Sequence, residues 1–204
     1  MYIIYIYICM YVYVYVCTQA GREFAGTRRC LSQDDGRLGK KGKVSALIQG
    51  MLKHPGHVHV QEAACEALAG LVDSNADNEV KVAAEGGIGA SLGAMQGHPA
   101  SPKVQEAACT ALRNLALNDA NKVKVAAEGG IGAILGAMQR HPASAEVQEA
   151  ACEALHNLTF NADNKVKVKS AGAEDAVKRA MALKDATVYL KILGKNLLDR
   201  LKNV

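Results

Sequence analysis

The chain has 204 residues, half of them hydrophobic and 22% charged, with a formal net charge of +4. That balance suits an ordinary globular domain with a sizeable core and excludes a disordered or collagen-like chain. The positive excess lies wholly in residues 18–43, with seven basic against three acidic side chains, while residues 44–204 carry seventeen of each sign; a basic nucleic-acid-binding domain would carry its excess in the folded part, so nucleic acid is not an expected partner.

Residues 1–17 hold six of the seven Tyr, no charge, and an alternation of Tyr with Ile or Val. Period-two alternation reads as a β-strand. A membrane helix of this length would span about 25 Å, short for a ~30 Å hydrocarbon core. A signal peptide would begin with a basic region, and none precedes Tyr2. The same residue types are what a tandem TA/TG/CA dinucleotide tract encodes, and an artefactual low-complexity start is the favoured reading, with a real anchor as its rival; a membrane is an expected partner only if residues 1–17 are that anchor. Residues 18–43 have five Gly, many charges and no apolar period, and read as a basic linker. Lys40-Lys41-Gly42-Lys43 reads as a solvated tether, with a weak nuclear-import signal as the rival.

Residues 44–204 form one repeat domain. Gln-Glu-Ala-Ala-Cys occurs at 61–65, 105–109 and 148–152, and His-Pro at 54–55, 98–99 and 141–142. Residues 80–122 and 123–165 align without gaps at 33 identities in 43 positions, which is duplication. Each unit contains three helical patterns. In the middle unit the first covers 78–84, with Asp77 or Asn78 placed to cap it. Gly86-Gly87 ends it, because glycine tolerates the left-handed cap conformation. The second covers 88–96, with Ile88, Leu92 and Met95 on one face, and His98-Pro99 closes it. The third starts at Ser101-Pro102, Ser as cap and Pro at the first helical position, and runs to about Leu117 with Val104, Ala108, Ala111, Leu112 and Leu115 buried. Residues 44–54 read as a second helix without its first. After about three repeats comes a C-terminal cap: residues 164–171, 173–183 and an amphipathic 185–204 with Leu190, Leu193, Leu197, Leu201 and Val204 on one side. Charge is polarised along the domain, net −5 over 44–162 and net +5 over 163–204.

A three-helix unit of this size cannot bury its own apolar face, and stacking the copies produces an all-α solenoid. The Gly-Gly-Ile runs at 86–88 and 129–131, the Val-Gln-Glu-Ala-Ala-Cys runs, Ala-Leu-Arg-Asn-Leu at 111–115 and Ala-Leu-His-Asn-Leu at 154–158 resemble armadillo repeats. The resemblance implies a right-handed solenoid of three-helix repeats whose third helices line a concave groove for a partner polypeptide. It also implies that Asn114 and Asn157 bond the backbone of an extended partner, with Gly70 replacing Asn in the earlier copy.

No catalytic constellation is present, so no enzyme activity, cofactor or metal is expected. The Gly-rich runs at 86–93 and 129–136 have the wrong spacing for a dinucleotide fingerprint and follow a helix. Cys65, Cys109 and Cys152 recur at one helical position and read as small buried hydrophobes. Free thiols suit the cytoplasm or the nucleus. His54, His98 and His141 sit at helix C-termini, where a partly positive imidazole is favoured. Asn157-Leu158-Thr159 matches a glycosylation sequon, unused in the middle of a helix.

The informative comparison is between copies. Positions 103, 110, 113 and 117 differ from their counterparts and lie on one stripe of the third helix. They read Lys103, Thr110, Arg113 and Leu117 against Glu146, Glu153, His156 and Phe160. The earlier copy has His59, Glu66, Ala69 and Asp73. A constant core beside a varied stripe is the pattern of a binding surface; neutral drift of exposed residues is the alternative. Candidate partner-binding residues are Glu66, Thr110, Arg113, Asn114, Leu117, Glu153, His156, Asn157 and Phe160. The expected function is a non-catalytic scaffold for a protein or peptide partner. An importin-like nuclear transport adaptor is the alternative, and its family places Trp where this chain has Glu66, Thr110 and Glu153. A helical-repeat lyase acting on tetrapyrroles is a third reading, for which no catalytic acid or base stands outside the repeat pattern.

Overall fold

In the computed structural model, residues 40–73 and 75–202 are described, with side chains from residue 44 onward. The readings of residues 1–17 and 18–39, and of Val204, fall outside the described residues. The described residues form eleven helices and no strand: α1 (Lys40–Lys53), α2 (Val58–Val72), α3 (Ala76–Ala84), α4 (Gly87–Gly97), α5 (Pro102–Leu115), α6 (Asp119–Ala127), α7 (Gly130–Arg140), α8 (Ala145–Leu158), α9 (Ala162–Ser170), α10 (Ala173–Met181) and α11 (Val188–Lys202). Helix α1 begins at Lys40, so the last residues of the stretch read as linker belong to a helix.

The first helices of the units, α3, α6 and α9, start at the same cap. Asn75, Asn118 and Asn161 have extended backbones, and their side chains accept from the backbone N–H of Asn78, Asn121 and Asn164 at 3.0–3.1 Å. This corrects the expectation that Asp77 or Asn78 caps α3. Both are already inside the helix, and a cap residue must sit just outside it. The Asn78 amide instead donates to the carbonyl of Leu71 at 2.6 Å. Gly86, Gly129 and Gly172 take φ of 92°, 86° and 80°, turning each first helix sharply into its second. Ser101, Ser144 and Thr187 cap the third helices α5, α8 and α11 with their hydroxyls. The third helix of the middle unit ends at Leu115, one turn-residue pair before the expected Leu117.

Helices of one kind stack on their own kind. The third helices form the layer α2–α5–α8–α11, the second helices α1–α4–α7–α10, and the first helices α3–α6–α9. One hydrophobic core runs between the layers through every unit. Val104, Ala108, Ala111, Leu112 and Leu115 are all buried, as are Ile88, Leu92 and Met95. Leu190, Leu193, Leu197 and Leu201 of α11 are buried on the inner side of the last unit.

Three polar ladders explain why the repeated motifs are not purely apolar. The amide of Gln61 donates to the carbonyls of Met51 and His54, Gln105 to those of Met95 and His98, and Gln148 to those of Met138 and His141, at 2.8–3.0 Å. Each glutamine therefore satisfies the methionine carbonyl that the following Pro leaves without a backbone donor, and adds a second bond to the histidine carbonyl, which also accepts from a backbone N–H three residues on. Asn121 donates to the carbonyls of Leu115 and Glu79, and Asn164 to that of Lys122, tying each first helix to the one before it. The His98 and His141 rings bond the carbonyls of Pro55 and Pro99 in the preceding unit, at 2.7 and 2.8 Å. A carbonyl only accepts, so Nε2 carries the proton and the repeated histidine is an inter-repeat strut. That specific bond accounts for His98 and His141 more fully than the expected helix-terminus effect.

Candidate functional site

The third-helix layer presents the varied stripe. Because Ser101, Ser144 and Thr187 start their helices in the same register, equivalent positions of α5, α8 and α11 lie side by side. The N-terminal half of this surface is acidic. Glu62, Glu66 and Glu106 cluster there, with the exposed Lys103 at 3.7 Å from Glu62. Burial raises the Glu66 carboxyl above its ordinary range, and Glu62 adds to the rise. Burial likewise raises Glu106, reinforced by Glu146 and then Glu66.

The C-terminal half is a bonded network. Arg113 pairs with Glu153 across the α5–α8 interface at 2.5 Å. The Tyr189 hydroxyl of α11 donates to the other oxygen of Glu153 at 2.7 Å, and this bond holds the phenol protonated up to about pH 12. Thr187 donates to Glu149 at 2.8 Å. The Arg200 guanidinium lies 3.8 Å over the Phe160 ring and donates to the hydroxyl and the carbonyl of Thr159. His156 meets the edge of Phe160 at 5.2 Å, and its pKa is lowered first by burial and then by Arg200.

The candidate residues thus divide. Glu66, Leu117 and Phe160 are exposed, the last two at 49% and 58%. Thr110 is half-buried, its hydroxyl donating to the Glu106 carbonyl of its own helix. Arg113, Glu153 and His156 are half-buried within the network. Asn114 and Asn157 stand apart. The Asn114 side chain is 4% exposed; its amide donates to the carbonyl of Ala69 at 2.9 Å and its oxygen accepts from Arg113. Asn157 donates to the carbonyl of Arg113 at 3.1 Å. Both amides, expected to grip a partner's backbone, bond the preceding third helix in this structure. Gly70 stands at the register where no described third helix precedes α2.

Tyr189 and Thr187 escaped the sequence reading, as did the contact of Arg200, an outer residue of the polar C-terminal cap, with Thr159 and Phe160. Their signal was the 43-residue register, which aligns Thr187 with Ser144 and Arg200 with Asn157, but the last unit has diverged too far for side-by-side comparison to expose it. Cys65, Cys109 and Cys152 are fully buried free thiols, each pushed up to about 12 chiefly by burial. Among the described residues no group of three or more His, Cys, Asp or Glu is placed to hold a metal ion. Among the same residues no helix is long and apolar enough to cross a membrane.

Stacked three-helix units with inter-repeat polar ladders and an unbroken core define an armadillo-repeat α-solenoid. The family model described as LRRK2 ARM repeat matches residues 31–192. The chain belongs to that armadillo-repeat family. Among curated proteins none matches it. The family's fold is a helical-repeat scaffold, typically for protein interaction and typically without catalysis.

Proposed function

We propose that the chain is a non-catalytic scaffold that binds a polypeptide partner across the third-helix layer, in a reducing compartment, the cytoplasm or the nucleus. One observation carries this reading: core positions of α5 and α8 are identical while the exposed stripe differs between them. Stacking constrains the first set, and a partner selects the second. With Asn114 and Asn157 committed to stacking, the residues available to a partner are Glu66, Thr110, Leu117 and Phe160, flanked by the Arg113–Glu153 pair and His156. Leu117 and Phe160, one repeat apart, offer two apolar anchors beside a charged rim, the composition of an interaction hot spot.

The test is affinity capture with the wild-type chain, then with Glu66→Lys and with Leu117→Ser combined with Phe160→Ser. The reading expects one partner set to be lost from each variant while the helical melting curve stays near wild type. Retention of every partner by both variants would contradict it. The acidic N-terminal half also keeps the transport-adaptor reading open, and titration with a Lys-rich peptide separates the two. Salt-sensitive binding abolished by Glu66→Lys would favour the adaptor.

A further inference from the structure

The outer face of the last unit has a different chemistry from every internal stacking face. In the 43-residue register, Lys169 stands where Ala83 and Ala126 stand in the earlier copies. Lys178 replaces Leu92 and Leu135, which are buried. Lys195 replaces Cys109 and Cys152, which are 0% exposed. Three positions that are apolar in the copies are thus lysine at one end. Along α11 the sequence Val188, Ile192, Lys195, Asp199, Lys202 advances by 4, 3, 4 and 3 residues and forms a single stripe. Val188 is 74% exposed and Ile192 55%. Lys191 lies beside them, exposed.

The charges on this face are poorly compensated. Lys178 lies 3.8–4.0 Å from Asp175 and Glu174, and Lys202 bonds Asp199 at 2.6 Å. Among the described residues, Lys169, Lys191 and Lys195 make no ion pair. Residues 163–204 carry ten basic side chains against five acidic.

We propose that this end face docks on an anionic phospholipid surface. Charge complementarity and the kind of cation favour a bilayer over an acidic polypeptide or a nucleic acid. The cations of the face without an ion pair are lysines, compact point charges that attract a diffuse negative surface without fixed geometry. Directed recognition of carboxylate or phosphate uses arginine forks, and Arg200 is spent on Thr159 and Phe160. Nucleic-acid bases call for aromatic platforms, and the α11 stripe Val188, Ile192, Lys195, Asp199, Lys202 carries no aromatic side chain. Two exposed aliphatic side chains among lysines suit the headgroup boundary of a membrane, where both kinds of group are satisfied.

The experiment is flotation of the full chain with phosphatidylcholine vesicles, with and without phosphatidylserine, at low and high salt. Binding is expected only with phosphatidylserine and weaker at high salt. Lys169→Glu with Lys178→Glu and Lys195→Glu is expected to lower vesicle partitioning on the order of a hundredfold or more. Val188→Ser with Ile192→Ser, which touches no charge, is expected to weaken it independently and serves if the triple variant fails to fold. A helical melting curve on each variant separates loss of docking from loss of structure. Binding to phosphatidylcholine alone, binding indifferent to both sets of variants, or tighter binding to polyglutamate or duplex DNA would each overturn the proposal. The third-helix variants Leu117→Ser and Phe160→Ser should leave vesicle binding unchanged, so the two surfaces are tested separately.

Discussion

Buried polar side chains bind the helices of this fold at points the leucines cannot reach. Gln105 is 2% exposed and donates to two carbonyls, of which that of Met95 has no backbone donor because Pro99 stands where the next N–H would be, while that of His98 also accepts from the Ser101 N–H. Truncating it leaves the Met95 carbonyl buried without a donor, which costs about 1–3 kcal/mol. Gln105→Ala should therefore lower the unfolding free energy by that amount, read as a lower denaturant midpoint at unchanged m-value, whereas Gln96→Ala, exposed at the end of α4, should leave it unmoved. The repeated cysteines make the opposite case. Their thiols have pKa values of about 12, and the thiolate is the reactive species. Alkylation at pH 8 followed by peptide mapping should find Cys65, Cys109 and Cys152 unmodified in the folded chain and modified once it is denatured.

Between neighbouring helices, Asn114 and Asn157 set the spacing of the third-helix layer. Replacing both with Ala removes one inter-helix bond at each of two interfaces. The expected loss is about 1–3 kcal/mol in all, since Asn114 is buried and its partner carbonyl is left unsatisfied. Thermal or urea unfolding measures it, and an unchanged midpoint would return these residues to the partner-binding surface. The acidic half of the layer gives a pH signature. Glu66 and Glu106 have folded pKa values above the ordinary 4.5, so the folded chain binds their protons more tightly than the unfolded chain. Their contribution to stability rises as pH falls from the raised folded value toward 4.5, and is constant below that. Denaturant midpoints across this range should rise less in the Glu66→Gln, Glu106→Gln variant than in wild type.

At the scale of the whole molecule, each unit contacts only its neighbours, so stability is a sum of unit and interface terms. Units with a neighbour on both sides gain two interfaces. Amide exchange should therefore be slowest in α4, α5, α7 and α8 and faster in α1 and α11, with the difference narrowing as denaturant approaches the global midpoint. Uniform protection across all eleven helices would mean that the stack unfolds as one unit.

The helix count per unit, the glycine turns, the serine caps and the buried stripe of α5 were readable in the residues, because each depends on local backbone preference and on apolar period. The duplication exposed which positions vary. Which side chains of the varied stripe remain open was not readable, because that depends on what the adjacent unit supplies at the same height. Asn114 and Asn157 looked like groove residues in one dimension and became struts once Ala69 and Arg113 presented their carbonyls. Arg113 and Glu153 sit forty residues apart and acquire a meaning only when two helices lie side by side. The lysine face of the last unit follows the same logic. Lys195 is one more charged residue on a helix until the stack places it at the register where every inner copy buries a thiol.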